Sequence, residues 1–304
     1  MSNDVWIDLL DPDESALKAA IPVELHRSAF ERLLAAPRHD DDPRPRLEAH
    51  GDYLFGVLVV PLFHPEEGHV AYQEVDLLAT RDRVVTVCKT PPGATAYSIA
   101  AARATACTHG VSAGMALYLL YDDIAEAFLT LVDAFNDDID DLEDHVEEWH
   151  AAQVRERISR LRHDLLHVRR VLGPTRDAAR CVVDNRIELD GGDELFPHDV
   201  ELHFADAYDK LLRATDGLDL SRDLLSGVRD YHQAQVANDQ NEVMKRLTVV
   251  ASVLLLPTFI VGLYGMNVKG VPEYHWADGY EWAWALIVIT TFIQVIYFRR
   301  KKWI

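Results

Sequence analysis

The chain has 304 residues, 49% of them hydrophobic, and its 50 acidic against 30 basic residues leave a formal net charge of −20. That length allows one large or two modest folded units with ample core. The charge excludes a nucleic-acid partner, whose phosphates would repel it, and fits first a solvated acidic surface and second a field that concentrates cations.

The opening MSNDVWIDLL has no basic n-region and no apolar h-region. No cleavable signal is read there, so the polar bulk is expected to stay in the cytoplasm. Cys88, Cys107 and Cys181 stand far apart in no metal-like spacing, as in a reducing compartment. Residues 1–110 read as a cytoplasmic α/β domain. HRSAFERLLAA (His26–Ala36) has helical texture, PRHDDDPRPR (Pro37–Arg46) is a proline-broken loop, and Tyr53–Phe63, Val75–Thr80 and Arg83–Cys88 read as strands of a small sheet.

Residues 111–199 change texture. Leu117, Leu120, Ile124, Phe128, Leu131, Phe135, Ile139 and Leu142 step by three and four, as do Val154, Ile158, Leu161, Leu165, Val168 and Leu172. The first helix is acidic and the second arginine-rich. A turn near Trp149–Ala152 would lay them antiparallel as a hairpin with opposite charges facing, and surface pairing of that kind needs no ligand. The break IELDGGDELFPHD (Ile187–Asp199) ends this hairpin. Residues 200–265 then hold no proline before Pro257, and read as one stalk helix that continues into a membrane span. A lone stalk cannot bury its apolar stripe, so neighbouring copies are expected.

Leu247–Gly265 (LTVVASVLLLPTFIVGLYG) and Trp282–Phe298 (WAWALIVITTFIQVIYF) carry no charge. Each approaches the ~20 residues that cross a bilayer as a helix. Lys245 and Arg246 precede the first, and Arg299, Arg300, Lys301 and Lys302 follow the second. The positive-inside rule puts both termini in the cytoplasm and the loop 266–281 outside, with 282–304 as second span and basic tail. Tyr264, Tyr274, Trp276, Tyr280, Trp282 and Trp284 mark the outer boundary, and Tyr297 and Trp303 the inner one.

On the stalk entering the membrane, Asn241, Met244, Leu247 or Thr248, Ala251, Leu255, Thr258 and Gly262 fall on one helical face. Small and polar residues in that pattern fit an ordinary seam between membrane helices and, equally, the lining of a pore in a symmetric ring. The next residues are Tyr264-Gly265-Met266-Asn267. Together with the preceding PTFIVGL, the upstream NEVMKRLT (Asn241–Thr248), the downstream VPE (Val271–Glu273) and the tail RRKKWI, they make the chain resemble the CorA family of divalent-cation channels.

That resemblance implies a funnel-shaped homopentamer in the cytoplasmic (inner) membrane, with an α+β cytoplasmic domain, a helical stalk and two C-terminal transmembrane helices. It implies that Gly265, Met266 and Asn267 form the outer mouth and selectivity filter. The pore would be lined by Asp230, Asn241, Met244, Leu247, Thr248, Ala251, Leu255 and Thr258. The cargo implied is hydrated Mg²⁺, with Co²⁺ or Ni²⁺ as further candidates. Neutral carboxamide oxygens from Asn267 suit an ion that sheds its water reluctantly. Gly265 is expected to permit a sharp chain reversal. The family's regulatory cation sites match Glu31, Asp122 and Asp206, but the acid expected after Glu31 is Arg32 here, which implies weakened or rearranged inhibition by intracellular Mg²⁺.

Two other readings compete. A zinc carrier of the same superfamily would use histidines, yet the 14 present are scattered and only His163 and His167 stand at i, i+4. A non-conducting membrane-anchored scaffold would have no use for the polar stripe. No GxxxxGK[ST] loop, zinc motif or nucleophile–base pairing is present, so no enzyme is expected.

Overall fold

Strands apolar on both faces need cover on both faces, and the N-terminal sheet has it. The computed structural model describes residues 5–21, 23–36, 44–64, 69–91, 96–191, 194–266 and 276–303. Strands β1 (Trp6–Leu10), β2 (Arg46–His50), β3 (Tyr53–His64), β4 (His69–Ala79) and β5 (Val84–Cys88) form one sheet in the order β1-β5-β4-β3-β2. β1 lies parallel to β5 and the other neighbours are antiparallel. Helices α1 (Glu14–Ala20) and α2 (Arg27–Leu34) cover one face, where Leu17, Ala20 and Leu33 join Phe55, Val57, Leu78, Val85 and Val87. The other face packs on the long helices through Trp6, Leu54, Leu58, Val75 and Leu77.

Those helices are α3 (Ala100–His109), α4 (Ala113–His145), α5 (Ala151–Val183), α6 (His198–Tyr264) and α7 (Gly279–Arg300). Ser112 caps α4 by accepting from the Met115 amide, a standard N-cap. Gly114 allows a close approach: a Cβ there would lie 2.1 Å from the carbonyl oxygen of Leu195. α4 and α5 are joined by a turn at residues 146–150. Arg157 of α5 reaches Asp138 at 2.6 Å and Asp141 at 3.3 Å on α4, so the charged faces meet. α5 runs through Pro174, well past Leu172.

The chain forms two compact units, Met1–Val228 and Arg229–Ile304, which share α6. In the first unit, Phe204, Ala207, Leu211, Ala214, Leu218, Ser221, Leu225 and Val228 are buried at strict three–four spacing. Ser221 Oγ donates to Asn136 Oδ1 of α4 at 2.6 Å, and Arg169 of α5 reaches Asp219 at 3.1 Å. The stalk's stripe is expected to need cover, and part of that cover comes from within the subunit. Over 204–228 the chain's own α4 and α5 cover it, because the hairpin supplies an apolar partner face within the subunit.

A polar cluster lies under α2. Lys89 Nζ is 2.6 Å from Glu74 Oε1 and 2.6 Å from Asp76 Oδ2, and donates to the carbonyl oxygen of Arg32 at 3.1 Å. That carbonyl lies in the last turn of α2, where a cation complements the helix dipole. Asp76 is fully buried. Burial pushes its carboxyl up to about 7, and Lys89 opposes the rise only in part. The folded chain therefore holds the Asp76 proton more tightly than the unfolded chain. The stability this proton contributes is complete below about pH 4 and is lost as the pH rises through about 7. The unfolding temperature of the full chain in detergent should fall by about 4 °C or more between about pH 5 and about pH 8. In Asp76→Asn that slope should flatten; an unchanged slope would show that another group carries the proton.

Candidate functional site

Among the described residues, α6 and α7 are the two helices long and apolar enough to cross a membrane, and the apolar windows of both are mostly exposed in the single chain. Their mutual packing sorts the residues of α6 into faces. Val249 and Ile260 are buried, and Ser252, Val253, Leu256, Pro257 and Tyr264 are half-buried. Gly279, Ala283, Leu286, Ile287, Thr290, Thr291, Gln294 and Phe298 form the matching covered stripe of α7. Gln294 Nε2 donates to the carbonyl oxygen of Ser252 at 3.3 Å across this seam.

The residues expected along a pore lie on the other side of α6. Asn241, Met244, Leu247, Thr248, Ala251, Leu255, Thr258 and Gly262 are all exposed. At 100° per residue their mean direction is about half a turn from the covered face. Leu255 is 74% exposed, more than any other leucine of that stretch. Thr248 Oγ1 donates to Met244 O at 2.8 Å and Thr258 Oγ1 to Leu254 O at 2.7 Å. Each hydroxyl thus spends its proton on its own helix and keeps acceptor lone pairs facing outward. Asp230 is exposed and paired with Arg229 at 3.0 Å.

Gly265 ends α6, with its amide bonded to Val261 O at 2.8 Å. Its backbone φ is not positive, and the reversal expected after it falls on residues outside those described. Its lack of a side chain matters for another reason: a Cβ would lie 3.0 Å from Val261 O. Met266 is 55% exposed. Asn267 lies outside the described residues, as do Tyr274 and Val271–Glu273.

The three carboxylates expected to regulate do not converge. Asp122 and Asp206 line one open groove of about 570 Å³ between α4 and α6, with Tyr118, Asp209, Lys210 and Arg213. Lys210 Nζ stands 2.7 Å from Asp122 and 2.5 Å from Glu126. Burial pulls the ammonium down, but these bonds outweigh it and leave Lys210 above its ordinary range. Tyr118 beside it is raised by burial and by the Asp122 charge. Glu31 is on α2, exposed and paired with Arg27 at 2.8 Å, while Arg32 faces Glu74 at 3.7 Å. His167 stacks on Tyr72, with ring centroids 4.3 Å apart, and its ring lies 6.5 Å from that of His163. Among the described residues no three His, Cys, Asp or Glu side chains are arranged to hold a metal ion.

Sequence reasoning missed Lys210, although it stands one turn past Asp206. No local signal links it to Asp122, which is 88 positions away. If Lys210 fills the place of a cation in this groove, Lys210→Gln should make added Mg²⁺ more stabilising than in the wild type. The Mg²⁺-induced rise in unfolding temperature should grow by about 2 °C or more; equal rises in both proteins would remove the lysine from the account.

The family model described as "CorA-like Mg2+ transporter protein" matches residues 3–300. The chain is 32% identical over 188 residues to the cobalt/magnesium transport protein CorA of Thermotoga maritima, covering 62% of this chain and 52% of that one. It is 24% identical over 306 residues to the protein of the same description from Methanocaldococcus jannaschii, covering 99% of this chain and 91% of that one. The complete structure of the CorA magnesium transporter from Methanocaldococcus jannaschii superposes with a TM-score of 0.79 at 22% identity, over 98% of this chain and 91% of that one. At that identity the superposition shows a shared fold.

Proposed function

The chain belongs to the CorA-like Mg²⁺ transporter family, and from that premise we propose that it is a channel conducting hydrated Mg²⁺ inward through a pore lined by α6 of five identical subunits. The observation that carries this reading is the division of α6 into two faces. One face is covered by α7, and the opposite one presents Asn241, Thr248 and Thr258 among small and flexible apolar residues. A helix meant only to anchor would turn its polar residues toward its partner and its apolar ones outward.

Each part of the stripe has a physical task. Asn267, with Gly265 and Met266, forms the mouth, where neutral amide oxygens accept hydrogen bonds from the water shell of the ion. A ring of carboxylates there would hold a divalent ion too firmly for release. Thr258 and Asn241 offer further oxygens down the passage, and Asp230 narrows its cytoplasmic end. Met244, Leu247 and Leu255 make an apolar constriction that closes by dewetting. The driving force is the membrane potential, worth ~4.6 kcal/mol per 100 mV for a divalent ion.

Intracellular Mg²⁺ regulates through the acidic groove of Asp206 and Asp122, and Glu31, which lies outside that groove on α2 with Arg32 beside it, contributes less. An ion entering that groove must compete with Lys210 for Asp122. Inhibition accordingly needs more Mg²⁺ than a groove of free carboxylates would.

Purified protein in liposomes should take up Mg²⁺ under an inside-negative potential. Asn267→Ala should lower the initial rate about tenfold or more, by loss of a bond made to the ion's water shell. Uptake equal to the wild type in that variant would refute the filter, and a native mass other than five copies would refute the ring. Asp206→Asn should raise the internal Mg²⁺ concentration needed for half-inhibition; an unmoved value would exclude the groove from gating.

A further inference from the structure

Gln294 carries an uncharged carboxamide in a run of α7, Trp282–Phe298, that is otherwise fit for lipid. Such a group is costly in hydrocarbon unless it is bonded. Its Nε2 crosses the seam to Ser252 O at 3.3 Å. Gln294 Oε1 and Thr291 Oγ1, one turn earlier, are buried with no hydrogen-bond partner among the described residues. Thr290 differs: its hydroxyl serves its own helix, at 2.7 Å from Leu286 O and 3.1 Å from Ile287 O. The carboxamide therefore does nothing for the helix that bears it. Its bond is to the neighbouring span.

The acceptor sits beside a weak point. Pro257 has no backbone N–H, so the carbonyl of Val253 lacks its helical donor, and a proline inside a helix is where it bends. Ser252 is the residue just before that carbonyl. Gln294 thus grips α6 on the near side of the proline, on the face away from the exposed stripe.

On the reading that α6 lines the pore, we propose that Gln294 is a positioning residue for conduction. Its carboxamide ties α7 to the stretch of α6 before Pro257, so that the two move as one piece, while the stretch after the proline carries the mouth. The residue touches no ion; it acts through the pose of α6.

The test uses the full chain in liposomes with Gln294→Met, which keeps the shape and removes the donor, and Thr290→Val as control. A hydrogen bond between spans averages ~0.6 kcal/mol in a bilayer, about threefold in an equilibrium. Gln294→Met should lower the maximal Mg²⁺ flux about threefold and leave the half-saturating concentration unchanged, since the mouth is untouched. Thr290→Val should match the wild type. Wild-type maximal flux in Gln294→Met, or a half-saturating concentration that shifts with it, overturns the proposal. Should the wild type itself carry no Mg²⁺, the channel reading fails, and backbone hydrogen exchange in detergent decides on Gln294. Faster exchange over residues 249–260 in Gln294→Met upholds the tie between the spans, and unchanged exchange refutes it.

Discussion

A helix in hydrocarbon has no water to fall back on, so every polar group in α6 and α7 must find its partner within protein or face a wet passage. That constraint gives meaning to each oxygen in the second unit. Thr248 and Thr258 bond back to their own helix, and Gln294 bonds across to Ser252. Besides Thr291 Oγ1 and Gln294 Oε1, buried with no partner among the described residues, what remains is a row of exposed acceptors on the face of α6 opposite α7. In lipid such a row is a cost, and around a shared aqueous axis it is a coordination surface. The proposed channel rests on this asymmetry more than on the apolar length of either helix.

A second economy governs the cytoplasmic unit, where a strongly acidic chain distributes few cations among many carboxylates. Arg157 joins the acidic face of α4 to α5, Lys210 bridges Asp122 and Glu126, and Lys89 serves Glu74, Asp76 and the end of α2 together. The buried cluster around Lys89 differs in kind from the others. Removing one member would strand a charge away from water, whereas the exposed pairs are individually weak. Arg32 belongs to the edge of that cluster. It therefore takes part in the wiring of the domain as well as placing a positive charge beside Glu31.

Legibility in the sequence followed the range of the interaction. The helical runs of α4 and α5 declared themselves through three–four spacing, and β3 and β5 through apolar runs bounded by turns. The strands β1 and β2 and the helices α1 and α3 are short. β1 is stabilised by parallel pairing with β5, far along the chain, with Trp6 Nε1 bonded to Thr86 Oγ1 at 3.0 Å. No window around Trp6 contains that partner. The stripe of α6 from Asn241 to Gly262 is legible in the sequence, whereas the cover of Phe204–Val228 by α4 and α5 is not, because periodicity reports that a face is buried and not what buries it.

The amino-acid order alone determined the two spans, their charged flanks, the Tyr264–Asn267 signature and the stripe from Asn241 to Thr258. All are written in local composition or in the period of a single helix, which needs no partner to be read. The tertiary structure alone decided which face of α6 meets α7, that α4 and α5 cover Phe204–Val228, that Lys210 sits on Asp122, and that Lys89 closes the cluster under α2. Those contacts join residues separated by a loop or by most of a domain. Their geometry comes from chain packing, so the side chains that satisfy or displace one another there are settled only when the elements dock.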